Sequence, residues 1–308
     1  MKKYLLLFGI IGPVTAAHAN IISFSPERFS LQASTGILNG EAREYVYDTD
    51  NHGRKMSQLN WKIENTPILN AALTWDAAER ATLRVSGWTT LATRGADMDD
   101  YDWMDPNQKH YTDWSSHPAT RLNYANQYDV RLTGWVLKAP DYRLGVMAGY
   151  EESRFSWTAN GGRGIYNNGT EIVEFDRNER GIGYQQTYRS PYIGLEGLYR
   201  YQNIEVTALF KYSGWSRQQD NDEHYARNLR FREESHNADF YSASADIGYY
   251  VTPQAKVYVG YAWNQHKEKK TGARVYDYAK QTGDYNSDDA AGLDNKNDQW
   301  FTGVKYRF

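Results

Sequence analysis

Alternation of apolar and polar residues is the feature that most limits how this chain can fold. In residues 142–150, every second side chain is apolar, from Tyr142 through Val146 to Tyr150, and Arg143 lies among the residues between them. A period of two places one set on each face of an extended strand. Residues 204–212, 257–263 and 300–308 repeat the pattern, which in 204–212 is broken only at Leu209. The alternation predicts long β-strands with one apolar face.

The composition indicates what that apolar face contacts. The 308 residues include 26 Tyr and 10 Trp, and the mean hydropathy is −0.79. A transmembrane β-barrel combines low mean hydropathy with many aromatic residues, because only alternate residues face lipid and aromatic girdles mark the interfaces. A soluble secreted β-protein is the alternative. The chain has 0 Cys, which excludes disulfides, thiol nucleophiles and thiolate metal ligands.

The N-terminal residues have the pattern of a targeting segment. Lys2 and Lys3 precede an apolar run, and small residues then lead to Ala17-His18-Ala19. This pattern predicts a secretory signal peptide over residues 1–19. Residues 20–308 contain no linker or internal repeat, so we expect one domain there.

Short and long polar connections alternate along the chain. Short turns are predicted at 76–79, 138–142, 199–203 and 252–255, and longer loops near 48–54, 93–120, 159–180, 217–236 and 268–296. This alternation is typical of outer-membrane barrels. The expected fold is therefore all-β, a ten-stranded antiparallel transmembrane β-barrel. Residues 55–75 would extend about 70 Å, so we expect the barrel to continue above the membrane.

Two acidic clusters carry the most reactive side chains. One spans residues 97–105 and the other residues 220–225. In an extended chain Asp100 shares a face with Asp102, and Asp222 shares a face with His224. If the two clusters face each other, the His and the carboxylates line one cleft.

That chemistry permits several interpretations. An Asp–His pair and a second carboxylate pair can activate water for attack on an amide. The same four side chains suit a divalent cation. Two further interpretations are the binding of a cationic ligand and the simple solvation of acidic loops.

At these residues the sequence resembles the omptins, the outer-membrane proteases of Gram-negative bacteria, and most closely their plasminogen-activator-like branch. The resemblance extends from the first strand to the last. It is carried by the segments 53–62, 87–91, 100–104, 117–118, 123–126, 147–150, 220–225, 231–234 and 248–253.

The resemblance implies an aspartic-type endopeptidase with a groove at the outer end of the barrel. Asp100 and Asp102 would face Asp222 and His224 across that groove, and water would be the nucleophile. The implied specificity is for Arg or Lys before the scissile bond. The same resemblance assigns Glu44 and Asp220 to the pocket for that residue.

The resemblance also implies further sites. Asp113 corresponds to an acidic position of the next subsite. Tyr150, Glu152 and Arg154 match a lipopolysaccharide-binding pattern. A second Arg of that site is replaced here by Thr187, and we consider Arg189, two residues later on the same strand face, as its substitute.

The expected location is the outer membrane of a Gram-negative bacterium, with the active site facing the exterior. Expected partners are lipopolysaccharide, as an activating lipid, and proteins with basic cleavage sites, such as plasminogen and cationic antimicrobial peptides. We expect no metal, no other cofactor and no nucleic-acid partner. A non-enzymatic pore or adhesin is the alternative from a different functional class.

Overall fold

The computed structural model describes residues 28–308; the predicted signal peptide, residues 1–19, lies outside the described residues. Nearly all of the described chain is extended. Its strand segments are β1 (Phe29–Asp48), β2 (Arg54–Ala78), β3 (Ala81–Thr90), β4 (Arg94–Asp102), β5 (Asp113–Lys138), β6 (Tyr142–Tyr166), β7 (Glu171–Tyr201), β8 (Ile204–His224), β9 (Leu229–Tyr250), β10 (Ala255–His266), β11 (Thr271–Asp277) and β12 (Thr282–Arg307).

These segments close into a barrel of ten antiparallel strands. β3 and β4 both pair with β2 and β5, so they are two parts of one strand. β10 and β11 likewise both lie between β9 and β12. Pairing of β1 with β12 closes the ring and leaves no free sheet edge among the described strands. The prediction of a ten-stranded barrel is confirmed.

The four predicted short turns lie between consecutive strands, at the ends of β2, β5, β7 and β9. The prediction of long loops at the other end was wrong for most of their residues. The segments 159–180 and 268–296, for example, are mostly strand. Where a strand extends above the membrane, both of its faces can contact water. A polar sequence in such a segment therefore does not imply an irregular backbone. Ladder hydrogen bonds maintain the sheet.

A belt of exposed apolar side chains surrounds the lower part of the barrel. Leu132, Val146, Ile193 and Val257 each expose more than 40% of their surface there. Val146 and Val257 belong to the alternating runs, in which other residues, such as Glu205 and Lys211, point inward. The belt is the surface expected to face lipid. Because β2 has 25 residues and β7 has 31, the strands continue well past it.

No helix in the described part of the chain is both long enough and apolar enough to cross a membrane.

Large side chains fill the barrel interior above the belt. Trp61 and Tyr184 stack with ring centroids 5.0 Å apart, and Trp157 packs against both rings. Leu38, Phe155 and Leu293 belong to the same buried cluster. This packing separates the interior into an upper region that opens outward and a polar lower lumen with a cavity of about 300 Å³.

Candidate active site

An aspartate and a histidine form a close pair at the upper end of β8. Their i, i+2 spacing in the strand places both side chains on the inner face. His224 Nε2 lies 2.5 Å from Asp222 Oδ2, and the Asp222 side chain is 2% exposed. The ring of Phe231, on β9, packs edge-on against the imidazole at 5.3 Å. The hydrogen bond and the ring contact together set the orientation of the imidazole.

Two further carboxylates lie at the end of β4. Asp100 and Asp102 are separated by one residue, and the hydroxyl of Ser57 on β2 donates to Asp100 Oδ1 over 3.3 Å. Burial, followed by the negative charge of Asp102, raises the pKa of Asp100 well above its usual value, while Arg227 opposes the shift. A raised pKa means that this carboxyl can hold a proton under conditions in which an exposed Asp is ionised.

The two pairs lie close enough for their charges to act on each other. The charge of Asp222 contributes to the raised pKa of Asp100, and His224 acts in the opposite direction on the pKa of Asp102. The fold therefore brings together the four side chains that the sequence placed in one cleft. They come from β4 and β8, strands that are not neighbours in the barrel.

A pocket of three buried carboxylates adjoins these pairs. Glu44 on β1, Asp220 on β8 and Glu233 on β9 each contribute an oxygen atom, and the three oxygens lie within 4.8 Å of one another. Asp220 accepts hydrogen bonds from the backbone N–H of Glu233, at 2.8 Å, and from the hydroxyl of Tyr184, at 3.2 Å. Among the described residues this trio is the cluster with metal-ligand spacing, rather than the four residues of the predicted divalent-cation alternative.

Burial is the main cause of raised pKa values in this three-carboxylate pocket. It raises the pKa of Asp220 to about 6 and raises the pKa of Glu44 and Glu233 well above their usual values. The neighbouring acids, including Asp222, contribute in the same direction. The pocket thus retains protons at pH values where solvated carboxyls lose them.

The sequence matches the model of the Omptin family over residues 25–308. The chain belongs to the omptin family. This omptin is 47% identical to "Plasminogen activator" of Yersinia pestis, over 100% of both chains, and 45% identical to "Protease 7" of Escherichia coli (strain K12), over 95% of this chain and 94% of that one.

A solved structure extends the similarity to the fold. The crystal structure of outer membrane protease OmpT from Escherichia coli matches with a TM-score of 0.90 at 44% identity, covering 94% of this chain and 99% of that one. This omptin is therefore a protease of the outer membrane. The transmembrane character of the barrel follows from the same comparison.

Asp113 of this omptin, at the start of β5, bonds both its neighbour in the chain and the turn between β6 and β7. One carboxylate oxygen accepts the backbone N–H of Asn167 over 2.6 Å, and the other accepts the Thr112 hydroxyl over 2.6 Å. Asp113 pairs with Asp102 in the β4–β5 ladder and is buried. Asp113 therefore lies beside the Asp100–Asp102 pair, and its hydrogen bonds join the start of β5 to the β6–β7 turn.

The predicted lipopolysaccharide residues form one cluster on the outer wall just above the apolar belt. Arg154 Nε donates to Glu152 Oε1 over 2.6 Å, and Tyr150 donates to Glu152 Oε2 over 3.3 Å. Arg189, the suggested substitute, also donates to Glu152 Oε2, over 3.1 Å. In the β6–β7 ladder Thr187 pairs with Arg154. Arg189 pairs with Glu152, so it lies two residues from Thr187 on the same face of β7.

Glu233 is the pocket residue that the sequence analysis did not include. Alternation places it on the inner face of β9, but its meeting with Asp220 depends on the register of the β8–β9 hairpin. Glu44, on β1, places a carboxylate oxygen within 4.8 Å of those of Asp220 and Glu233. The available signal was the Glu233-Glu234 doublet, which by itself does not identify the partners.

Proposed function

We propose that this omptin is an endopeptidase that cleaves after Arg or Lys, using a water activated by Asp222 and His224 opposite Asp100 and Asp102. The observation that carries the proposal is the 2.5 Å contact between His224 Nε2 and Asp222 Oδ2 in a cleft lined by further carboxylates. With Nε2 bonded to Asp222, Nδ1 carries the lone pair that can accept a proton from water.

Each pair then has a separate role. The Asp222 side chain, hydrogen-bonded to His224, stabilises the imidazolium that forms when His224 takes a proton from the water that attacks the amide carbonyl. Asp100, whose raised pKa favours the protonated form, can orient the water and supply a proton as the amide breaks. The reaction as a whole consumes one water molecule and converts one peptide bond into a carboxyl group and an amino group.

The three-carboxylate pocket is the proposed binding site for the basic residue before the scissile bond. Glu44 and Asp220 lie next to Asp222, and the charges that raise the pKa of Glu44 are those of other carboxylates. A buried acidic pocket without its own cation suits a cationic side chain. Asp113 is assigned to the neighbouring subsite.

The outer cluster at Glu152 is the proposed lipopolysaccharide site. Arg154 and Arg189 present two guanidinium groups toward the outer surface beside Tyr150, and such groups bind phosphate in a bidentate manner.

The proposed substrates of this protease are host proteins such as plasminogen and cationic antimicrobial peptides. We propose that neither a metal nor another cofactor is required.

The test replaces one member of the pair. His224→Ala is expected to lower kcat for a dibasic peptide by about 10³-fold, because general-base catalysis of this kind contributes about 10²–10⁴-fold. Activity is measured at saturating lipopolysaccharide and in excess chelator, with folding checked by heat-dependent migration of the barrel on gels.

His236→Ala is the matched control. His236 also contacts a carboxylate, Glu234, at 2.8 Å, but it is 61% exposed on the outer side of β9. It should retain near wild-type activity. Equal activity of both folded variants, or loss of wild-type activity in chelator, would refute the proposed mechanism.

A further inference from the structure

The three-carboxylate pocket has unused hydrogen-bonding capacity. Glu44, Asp220 and Glu233 are 3%, 7% and 4% exposed. Glu44 Oε2 and Glu233 Oε2 are both fully buried and have no hydrogen-bond partner among the described residues. Buried carboxylate oxygens are costly unless a donor or a cation meets them. Two such atoms in one pocket therefore indicate that a guest completes it.

The spacing of the three oxygens favours a compact cation. Three atoms separated by at most 4.8 Å can all lie about 2.8 Å from one point, which is the length of a charge-assisted N–H···O bond. An alkylammonium nitrogen at that point offers three donors. A guanidinium is planar and carries its donors outward around a central carbon, so its carboxylate partners need wider separation.

The charges agree with that geometry. Burial and the charge of Asp220 raise the pKa of Glu233, and a hydrogen bond between the two side chains adds to the shift. The pocket therefore holds protons between its carboxyls. An entering ammonium group supplies both the positive charge and the donors, so it can replace those protons.

The location connects the pocket to the reaction. Asp220 precedes Asp222 by two residues on the same inner face of β8, so a side chain held by Asp220 belongs to a residue next to the attacked bond. Glu233 is the member from β9, and its backbone N–H already holds Asp220 in place.

We propose that Glu233 is a specificity-determining residue, which with Glu44 and Asp220 forms a socket for the ammonium group of a Lys before the scissile bond. The inference rests on the proposed function and deepens it. Glu233 selects Lys relative to Arg, and the catalytic pairs act equally on both.

The experiment uses two peptides that differ only in Lys or Arg before the scissile bond. Glu233→Gln is expected to lower kcat/KM for the Lys peptide about tenfold or more, mainly through KM, and to lower it for the Arg peptide about threefold or less. Glu233→Asp withdraws the carboxylate by one methylene and should also lower kcat/KM for the Lys peptide more than for the Arg peptide. This variant replaces Glu233→Gln in the test if the Gln variant does not fold.

Glu234→Gln is the matched control. Glu234 is the adjacent residue on the opposite face of β9, where it pairs with Arg217 at 2.8 Å. Its replacement should leave the ratio of Lys to Arg cleavage unchanged. Binding of the Lys peptide to His224→Ala, with and without Glu233→Gln, gives a readout that does not depend on turnover.

The outcomes separate the two proposals. An unchanged ratio in folded Glu233→Gln, or an equal change in Glu234→Gln, overturns the role of Glu233 while cleavage after basic residues stands. Competitive inhibition by millimolar Ca²⁺ that disappears in Glu233→Gln, with no change in the ratio, makes the pocket a metal site instead. If the wild-type protein cleaves neither peptide, both the proposed function and the role of Glu233 are overturned.

Discussion

Buried carboxylates in the lower lumen and in the upper region of the same barrel have opposite surroundings. In the lower lumen, Lys211 Nζ lies 2.7 Å from Asp129 Oδ2 and 2.7 Å from Glu151 Oε2. Lys256 similarly lies 3.0 Å from Glu205 and 3.1 Å from Asp246.

Above the aromatic cluster the three pocket acids lack such partners among the described residues. Glu44 and Glu233 each keep a buried oxygen without a hydrogen bond, and Asp220 has its pKa raised to about 6. The cost of burying a charge is offset in the lower lumen by a cation from the chain itself. In the upper region no cation of the described chain pairs with the three acids, which indicates that the compensating group belongs to a substrate.

The largest effect that would test this comparison is on stability in the lower lumen. Lys211→Met leaves Asp129 and Glu151 buried without their cation, and should destabilise the barrel by about 3–5 kcal/mol. Urea titration of the protein in detergent, followed by the mobility of the folded form on gels, measures the change.

Lys138→Met provides the surface reference for that measurement. Lys138 pairs at 3.4 Å with Glu79, whose side chain is 82% exposed. Its loss should cost at most about 1 kcal/mol. Similar midpoints for the two variants would show that the lower pairs do not stabilise the fold as argued.

The upper region should respond in the opposite sense. The folded-state pKa of Asp220 is raised to about 6 from 3.8, so its folded form binds protons more tightly than its unfolded form. Stability from this group is present below about pH 4 and is lost as pH rises through about 6. Asp220→Asn should therefore stabilise the protein at pH 7 by up to about 3 kcal/mol while weakening the binding of basic substrates.

That prediction is checked by urea titration at pH 4 and pH 7. The gain of Asp220→Asn over wild type should appear at pH 7 and shrink at pH 4. A variant less stable than wild type at pH 7 would place the upper carboxylates among the stabilising interactions and remove the contrast with the lower lumen.

The smallest effect is expected at the outer cluster, where chain cations and a carboxylate meet beside the lipid. Arg189→Gln removes one of the two guanidinium groups on Glu152, and should raise the lipopolysaccharide concentration for half-maximal activity by about tenfold. Arg163→Gln, which replaces a 54% exposed Arg on the upper part of β6, is the control and should change little. No shift for Arg189→Gln would assign the lipid site to other residues.

Much of the site was accessible from the sequence because strand geometry is local. The i, i+2 spacing alone places Asp222 and His224 on one face, and their hydrogen bond is the direct result. The outer segments were assigned to loops because polar residues on both faces resemble irregular chain. In fact, the water on both sides of these strands removes the alternation on which a strand prediction relies.

Alternation along the chain by itself determined long strands with one apolar and one polar face, since a period of two assigns successive side chains to opposite faces. It does not determine which inward residues meet. The register between β8 and β9, and closure of the ring through β1, brought Glu233 and Glu44 to Asp220. Such meetings depend on ladder hydrogen bonds summed around the barrel, which no local stretch of sequence specifies, and so only the tertiary structure decided the pocket.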